Sequence, residues 1–167
     1  MATRDNLKAA FAGESQANRT YLAFAKKAEA DGVKQIARLF RATAEAETVH
    51  ANAHLRVMGG VKTTADNLQA AIEGEGYEFQ EMYPAFLAQA EAEGDKAATV
   101  SFKNAMAVEK VHHALYTKAL ETLKAGKDLQ AARIWVCPNC GNTVVGEHPP
   151  EKCDVCGAPA NKFVEVS

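Results

Sequence analysis

The chain has 167 residues, 47% of them hydrophobic and only 7% aromatic, with a formal net charge of −2. That length suits one medium domain or a smaller one with an appendage, and the hydrophobic fraction suffices for a core. Scattered basic residues form no stripe for nucleic acid, and no apolar segment reads as a signal peptide or a membrane span, so the expectation is a cytoplasmic protein with no nucleic-acid or membrane partner.

Four long segments read as helices. The first runs from about Asn6 to Asp31, with Leu7, Phe11, Tyr21, Leu22 and Phe24 among its apolar positions, and stops at Gly32. The second covers about Lys34 to Met58, with Ile36, Leu39, Phe40 and Val49 expected inward, and ends at Gly59-Gly60. "TTADN" (63–67) offers caps for a third, from about Asn67 to Glu93, interrupted near Pro84 and ending at Gly94. The fourth spans about Lys96 to Leu123 and ends at Gly126. None carries a sustained β-branched alternation. After "AGKDLQAAR" (125–133) the character changes to a stretch rich in Cys, Gly, Pro and Val, read as short strands and turns. A segment of that size needs a metal or cross-links to fold. The expected organisation is a helical domain at 1–125, a linker at 126–133 and a cysteine-clamped domain at 134–167.

The helical part repeats itself. "YLAFAKKAEADG" (21–32) matches "YPAFLAQAEAEG" (83–94) at seven of twelve positions with a shift of 62. The same shift carries Glu47 onto Glu109 and His50 onto His112, while a shift of 61 carries "AGE", ending at Glu14, onto "EGE", ending at Glu75. Two helical hairpins of common design imply a pseudo-two-fold axis, with the repeated polar residues meeting near it.

Residues three apart share a helix face, so Glu47 with His50, Glu109 with His112, and Glu75 with Glu78 are each a local pair. Glu14 adds a further carboxylate among apolar neighbours. A single Glu-x-x-His on an Ala-rich helix is usually a solvated face. Two at equivalent positions in a repeat, each with a Gly-Glu about 33 residues upstream, are not. Burying five carboxylates and two imidazoles without a cation costs several kcal/mol apiece. Hard oxygen donors with one imidazole per side suit iron or manganese, and bridging carboxylates suit a dinuclear centre. The set matches the ligand pattern of ferritin-like di-iron bundles: a Glu from each of two helices and Glu-x-x-His from each of the other two. Glu81 competes with Glu78, since those two are also three apart; the match of Glu14 to Glu75 favours Glu75 and Glu78. His54 and His113 fall outside the repeat and read as ordinary surface or supporting residues. Tyr21 and Tyr83 are equivalent under the repeat, and either fill core or hydrogen-bond ligating carboxylates.

Cys137-Pro-Asn-Cys140-Gly and Cys153-Asp-Val-Cys156-Gly hold all four cysteines of the chain. Two such turns close a tetrahedral site of four thiolates for zinc or a single iron. Trp135 and Phe163 are expected to supply most of the apolar packing around it.

With these motifs in hand, the chain resembles the rubrerythrins over nearly its whole length: "AFAGESQANRTY", Glu47-Thr-Val-His50, "GEGYEFQEMYP", "VEKVH", then "WVCPNCG" and "CDVCGA". The resemblance implies an all-α ferritin-like four-helix bundle followed by a small rubredoxin-like β/turn metal domain. It implies that Glu14, Glu47, Glu75, Glu78, Glu109 and His112 ligate two irons, with Glu47 and Glu109 bridging and His50 alternating with Glu78. It implies a mononuclear iron, or zinc, at Cys137, Cys140, Cys153 and Cys156. The activity it implies is reduction of hydrogen peroxide to water, with electrons from a separate NAD(P)H-dependent reductase or a rubredoxin passed on through the cysteine site. The sequence itself has no Gly-x-Gly-x-x-Gly fingerprint for a nicotinamide. The rivals are an iron-oxidising, iron-handling protein and a structural zinc ribbon on a scaffold bundle.

One feature departs from some rubrerythrins: the short connection "GGVKTTAD" (59–66) between the second and third helices. In a ferritin-like bundle that connection crosses the bundle's length. A helix of about 25 residues is roughly 37 Å long, and about eight extended residues reach at most roughly 29 Å. The expectation is a homodimer in which helix pairs are exchanged between chains.

Overall fold

The computed structural model describes residues 2–166. Met1 and Ser167, the outer ends of the two expected domains, lie outside the described residues. The helices are α1 (Ala2–Ala30), α2 (Lys34–Val57), α3 (Thr64–Tyr77), α4 (Tyr83–Glu93) and α5 (Lys96–Lys124), with a π-helical turn, Glu78–Met82, joining α3 to α4. Three short strands follow: β1 (Ile134–Val136), β2 (Thr143–Val145) and β3 (Val164–Val166), with a 3₁₀ turn at Ala160–Lys162. The chain divides into two compact units, Met1–Lys62 and Thr63–Ser167.

The first unit is the α1–α2 hairpin. Its seam is built from alanine: Ala37, Ala44 and Ala51 of α2, seven residues apart, are buried, as are Asn18 and Ala25 of α1 at the same spacing. Small side chains at heptad positions let two helix backbones approach closely. This corrects the inward face expected for α2. Ile36, Leu39 and Val49 are exposed in the single chain, because the alanine stripe takes the seam and turns the larger side chains onto another face. Phe40 is half-buried against Tyr21 and Phe24.

The second unit holds α3, α4 and α5 with the strands. Thr63 caps α3 by accepting from the Asp66 N–H, so the helix begins at Thr64 rather than near Asn67. Asp95 caps α5 by accepting from the N–H groups of Ala97 and Ala98. The interruption expected near Pro84 is the π turn, in which the Tyr83 N–H donates to the Glu78 carbonyl. Pro84 has no N–H to give its fourth preceding carbonyl and its ring crowds that carbonyl, so a widened turn just before it relieves the clash. The turn also absorbs the phase slip in the repeat. Glu14 to Tyr21 spans seven residues and Glu75 to Tyr83 spans eight, and the extra residue falls where the helix widens.

The strands form an antiparallel sheet in the order β2-β1-β3, with Trp135 opposite Val144 on one side and Glu165 on the other. Buried Cys137, Cys153 and Phe163 make its core, with Trp135, Val144, Val155 and Ala158 packed around them. The Trp135 indole N–H donates to the Gly146 carbonyl at 2.9 Å. Arg133 lies 4.4 Å over the Trp135 ring and forks onto Glu165 at 2.8 and 2.6 Å.

Candidate metal centres

In the α1–α2 hairpin, one ligand atom from each of Glu14, Glu47 and His50 lies within 4.8 Å of the others. The Glu47 carboxylate is 3.0 Å from His50 Nδ1, and Glu14 is 3.7 Å from the same nitrogen. Hydrogen bonding to Glu14, and then to His50, holds the Glu47 carboxyl below its usual range. Asn18 positions this face: its side-chain amide donates to the Ala44 carbonyl at 2.6 Å and to the Thr48 hydroxyl at 2.8 Å. Thr48 is the immediate neighbour of Glu47. Arg19 donates in turn to the Asn18 side-chain oxygen at 2.8 Å.

The second unit repeats the arrangement. Glu75, Glu109 and His112 bring one ligand atom each within 4.8 Å, with Glu109 at 2.8 Å and Glu75 at 3.9 Å from His112 Nδ1. Burial pushes the Glu75 carboxyl up to about 7, and a hydrogen bond to Glu109 adds to the shift, as two carboxyls share one space. Glu78, on the π turn, stands outside this close group. It is half-buried, and its carboxyl is raised by burial first and by the Glu109 charge second. Glu81 is exposed. Tyr83 is also half-buried, and burial followed by the charges of Glu78, Glu109 and Glu75 keeps its phenol protonated. Tyr21 packs against Phe24 and Phe40, with centroids at 6.4 and 6.2 Å. Tyr83 packs against Phe86 and Phe102 at 6.3 and 6.2 Å, so the two aromatic triads correspond under the shift of 62. Phe40 and Phe102 lie outside the quoted repeat, and their correspondence emerges only from packing. His54 is half-buried and belongs to neither cluster. His113 stacks edge-on against Phe79 at 5.4 Å.

Six carboxylate and imidazole side chains thus converge three by three. Each set offers hard oxygen and imidazole nitrogen, and among the described residues no Lys or Arg is paired with either set. That donor chemistry fits iron.

The four cysteines converge as well, their sulfurs within 4.8 Å of one another. Cys137 and Cys156 sulfurs are 3.6 Å apart, and those of Cys140 and Cys153 are 3.5 Å apart, far beyond a disulfide bond. A tetrahedron with metal–sulfur distances of about 2.3 Å has edges of about 3.8 Å, so the spacing fits one ion. The two turns are built alike: Gly141 N–H donates to Cys137 O and Gly157 N–H to Cys153 O, both at 2.8 Å. Each of these glycines has a positive φ, which turns the chain back under the sulfurs. Two side chains that motif reading passed over polarise the sulfurs. The Asn142 amide donates to Cys153 Sγ at 3.7 Å, and the Asn139 side chain is the chief cause that lowers the Cys156 thiol to about 6. Burial drives the Cys140 thiol upward.

Thr143 is the other functional neighbour without a sequence signal. Its hydroxyl sits 3.0 Å from His112 Nε2, tying β2 to α5.

The family model for rubrerythrin matches residues 5–120, and the model for the rubredoxin-like domain of rubrerythrin matches residues 135–164. Rubrerythrin-2 of Clostridium acetobutylicum is 35% identical over 175 residues, covering 96% of this chain and 95% of its own. Nigerythrin of Nitratidesulfovibrio vulgaris is 39% identical, covering 97% of this chain and 85% of its own. A solved structure of nigerythrin in its fully reduced, all-ferrous state matches with a TM-score of 0.59 and 36% identity, over 98% of this chain and 86% of that one.

Proposed function

The chain belongs to the rubrerythrin family, and on that premise we propose that it is a non-haem di-iron peroxidase, reducing hydrogen peroxide to water as part of oxidative-stress defence. Its cofactors are those of the family, a di-iron centre and a metal in the four-cysteine site, iron or in its place zinc.

The observation that carries the proposal is the pairing of two carboxylate–imidazole clusters with a four-thiolate site docked on the helix that bears one of them. Storage of iron needs no electron input, so the attached cysteine domain favours turnover over storage. Glu14, Glu47, His50, Glu75, Glu78, Glu109 and His112 are the residues that would hold the iron pair, supplying hard oxygen and imidazole donors. Cys137, Cys140, Cys153 and Cys156 hold the single ion. The functional domains are 1–125 and 134–167, with 126–133 as linker.

Reduction of one hydrogen peroxide consumes two electrons and two protons and yields two waters. When bound, the iron pair supplies the electrons and the positive charge that attracts the peroxide, and the ion at the cysteines supplies one-electron relay from an external NAD(P)H-dependent reductase or rubredoxin. The carboxylates neutralise the pair's charge in either oxidation state. Tyr83, kept as a neutral phenol by burial and by the charges of Glu78, Glu109 and Glu75, can hold a proton for transfer at this cluster. Tyr21 is the residue equivalent to Tyr83 under the repeat and packs against Phe24 and Phe40. Asn139 and Asn142 stabilise thiolate charge on Cys156 and Cys153.

The active form is a homodimer exchanging helix pairs. Two features support this. Six residues (58–63) lie between Val57 and Thr64, reaching at most about 22 Å, whereas a 24-residue helix such as α2 is about 36 Å long. In addition, Ile36, Leu39 and Val49 leave α2 with an apolar face exposed in the single chain, and a second copy covers it. Among the described residues, no helix is long and apolar enough to cross a membrane. The four unbridged cysteines suit a reducing compartment, and we place the protein in the cytoplasm.

The test is stoichiometric. The iron-loaded chain is reduced anaerobically, given one equivalent of hydrogen peroxide, and followed by its iron absorbance. Full oxidation of the di-iron centre by that single equivalent, much faster than by oxygen, is the expected result. A reduced centre that ignores peroxide and reacts with oxygen overturns the assignment.

A further inference from the structure

The two cysteine turns are copies of one design. A shift of 16 carries Cys137, Cys140 and Gly141 onto Cys153, Cys156 and Gly157, and it carries Asn142, the next residue, onto Ala158. The two backbones do the same work. Cys137 N–H donates to the Asn142 carbonyl at 2.9 Å, and Cys153 N–H donates to the Ala158 carbonyl at 2.8 Å. An alanine therefore suffices to close such a turn, and closure makes no use of the Asn142 side chain.

That side chain is nevertheless buried. Asn142 is 3% exposed, as is Cys153. An amide taken out of water costs free energy unless it is hydrogen-bonded. The Asn142 amide reaches from the first turn to the second and donates to Cys153 Sγ at 3.7 Å. Ala158, at the matching place, has no side-chain donor to offer Cys137 in return. Two buried sulfurs at equivalent positions thus differ by one N–H.

Reduction of a four-thiolate iron site adds one electron to the same ion and the same sulfurs, with no bond made or broken. The sulfurs carry more negative charge afterwards. An N–H aimed at one of them stabilises the reduced form more than the oxidised form, which raises the reduction potential. Burial strengthens the effect, because the surroundings screen it less than water does.

We propose that Asn142 is a positioning residue for electron relay: its buried amide, bonded to Cys153 Sγ, raises the reduction potential of an iron held by the four cysteines and makes Cys153 electronically unlike its counterpart Cys137. The inference rests on iron at the cysteines serving as the relay. A higher potential makes the site a readier acceptor from the external donor and leaves less driving force for passage to the carboxylate centre. Asn142 sets that balance through Cys153, without touching the ion.

The experiment uses the full chain with iron at the cysteines and two variants. Asn142→Leu keeps the size of the side chain and removes the N–H. Asn142→Ala copies the residue that already closes the second turn, so it covers the case in which leucine does not fit. The potential is read by redox titration of the ferric absorbance. Both variants are expected to shift the one-electron equilibrium about tenfold toward the ferric form, a fall of about 59 mV. Ferric absorbance per chain should stay at the wild-type level, which shows that all four sulfurs still hold the ion. The second measurement is magnetic resonance of the wild-type chain with a magnetic isotope of cadmium at the cysteines. Scalar coupling between the metal and an Asn142 side-chain amide proton is expected, carried through Cys153 Sγ. A potential that is unchanged or raised in either folded variant overturns the proposal, and so does a cadmium form without that coupling. A potential that falls in both variants, in a chain whose reduced carboxylate centre ignores peroxide, upholds the role of Asn142 and overturns the peroxidase assignment instead.

Discussion

Asn18, 7% exposed, donates from its amide to the Ala44 carbonyl at 2.6 Å and so pins α1 to α2 one turn before Glu47. The same amide reaches Thr48, and the Asn18 side-chain oxygen receives Arg19. An alanine seam holds two helices close but carries little directional information, and this amide sets the register. Asn18→Ala is expected to cost about 1–3 kcal/mol, the range for stranding buried hydrogen-bonding groups, measured by denaturant unfolding of the metal-free chain. Iron affinity should fall with it, because Glu47 follows the helix that Asn18 fixes. An unfolding midpoint equal to wild type would show that the seam alone sets the register.

Glu78 and Glu81 present the sharpest choice the sequence left open. Both lie three residues from a candidate partner, and both sit on the π turn. The extra residue absorbed there turns Glu78 toward the charges of Glu109 and His112 and leaves Glu81 exposed. Glu78→Gln is expected to weaken ferrous binding at least tenfold and to slow peroxide-driven oxidation of the reduced centre. Glu81→Gln should change neither, and calorimetric titration of the two variants side by side decides between the residues.

What the sequence made legible was whatever depends on local chemistry. Helix ends fell at glycines because a left-handed C-terminal residue is needed there, as at Gly94 with φ 73°. The two Glu-x-x-His pairs and the four cysteines were readable because ligand spacing is a property of one helix or one turn. The outward side of α2 was misjudged because large apolar residues drew the eye. The seam is made by Ala37, Ala44 and Ala51, whose small size is itself the packing signal. The π turn was visible as a one-residue mismatch between the shifts of 61 and 62, and Pro84 alone was credited with the interruption. Thr143 was invisible because nothing local marks it; its partner lies 31 residues away.

The exposed apolar face of α2 leads to a solution test. Leu39, 64% exposed, sits on that face with Ile36. Leu39→Lys is expected to shift sedimentation from dimer toward monomer at micromolar protein and to lower the iron bound per chain in the carboxylate sites, with the cysteine site still filled. A Leu39→Lys chain that stays dimeric with full iron would show that the interface lies elsewhere.

The Arg133–Glu165 fork gives the cysteine domain a pH signature. Arg133 holds the Glu165 carboxyl below its usual value, so the folded state binds a proton at Glu165 less readily than the unfolded state does. Its contribution is therefore present above the ordinary carboxylate pKa of 4.5 and is lost as pH falls through the lower folded value. Both side chains are 42% exposed, so the effect is small and screened by salt. Glu165→Gln is expected to speed amide exchange across β1 and β3 at pH 7, with the difference from wild type shrinking toward zero as the pH is lowered past 4. A difference that persists unchanged at low pH would assign it to packing on Trp135.

The cysteine site is the last element, and its removal separates relay from chemistry. Cys137 and Cys153 are two of the three buried residues in the small domain's core, so the ion they hold is also a structural member. Cys137→Ser is expected to lose the ion and melt β1, β2 and β3, while helix content stays near wild type. Losing β2 also withdraws Thr143 from His112, so a milder variant is needed to isolate electron delivery. Zinc in place of iron at the cysteines keeps the fold and the Thr143 contact while abolishing relay. With zinc there and iron in the carboxylate sites, one chemically reduced turnover with peroxide should proceed at the wild-type rate. Steady turnover driven by NADH and a reductase should fall at least a hundredfold. Equal steady turnover in the zinc and iron forms would show that electrons reach the larger site without passing the cysteines.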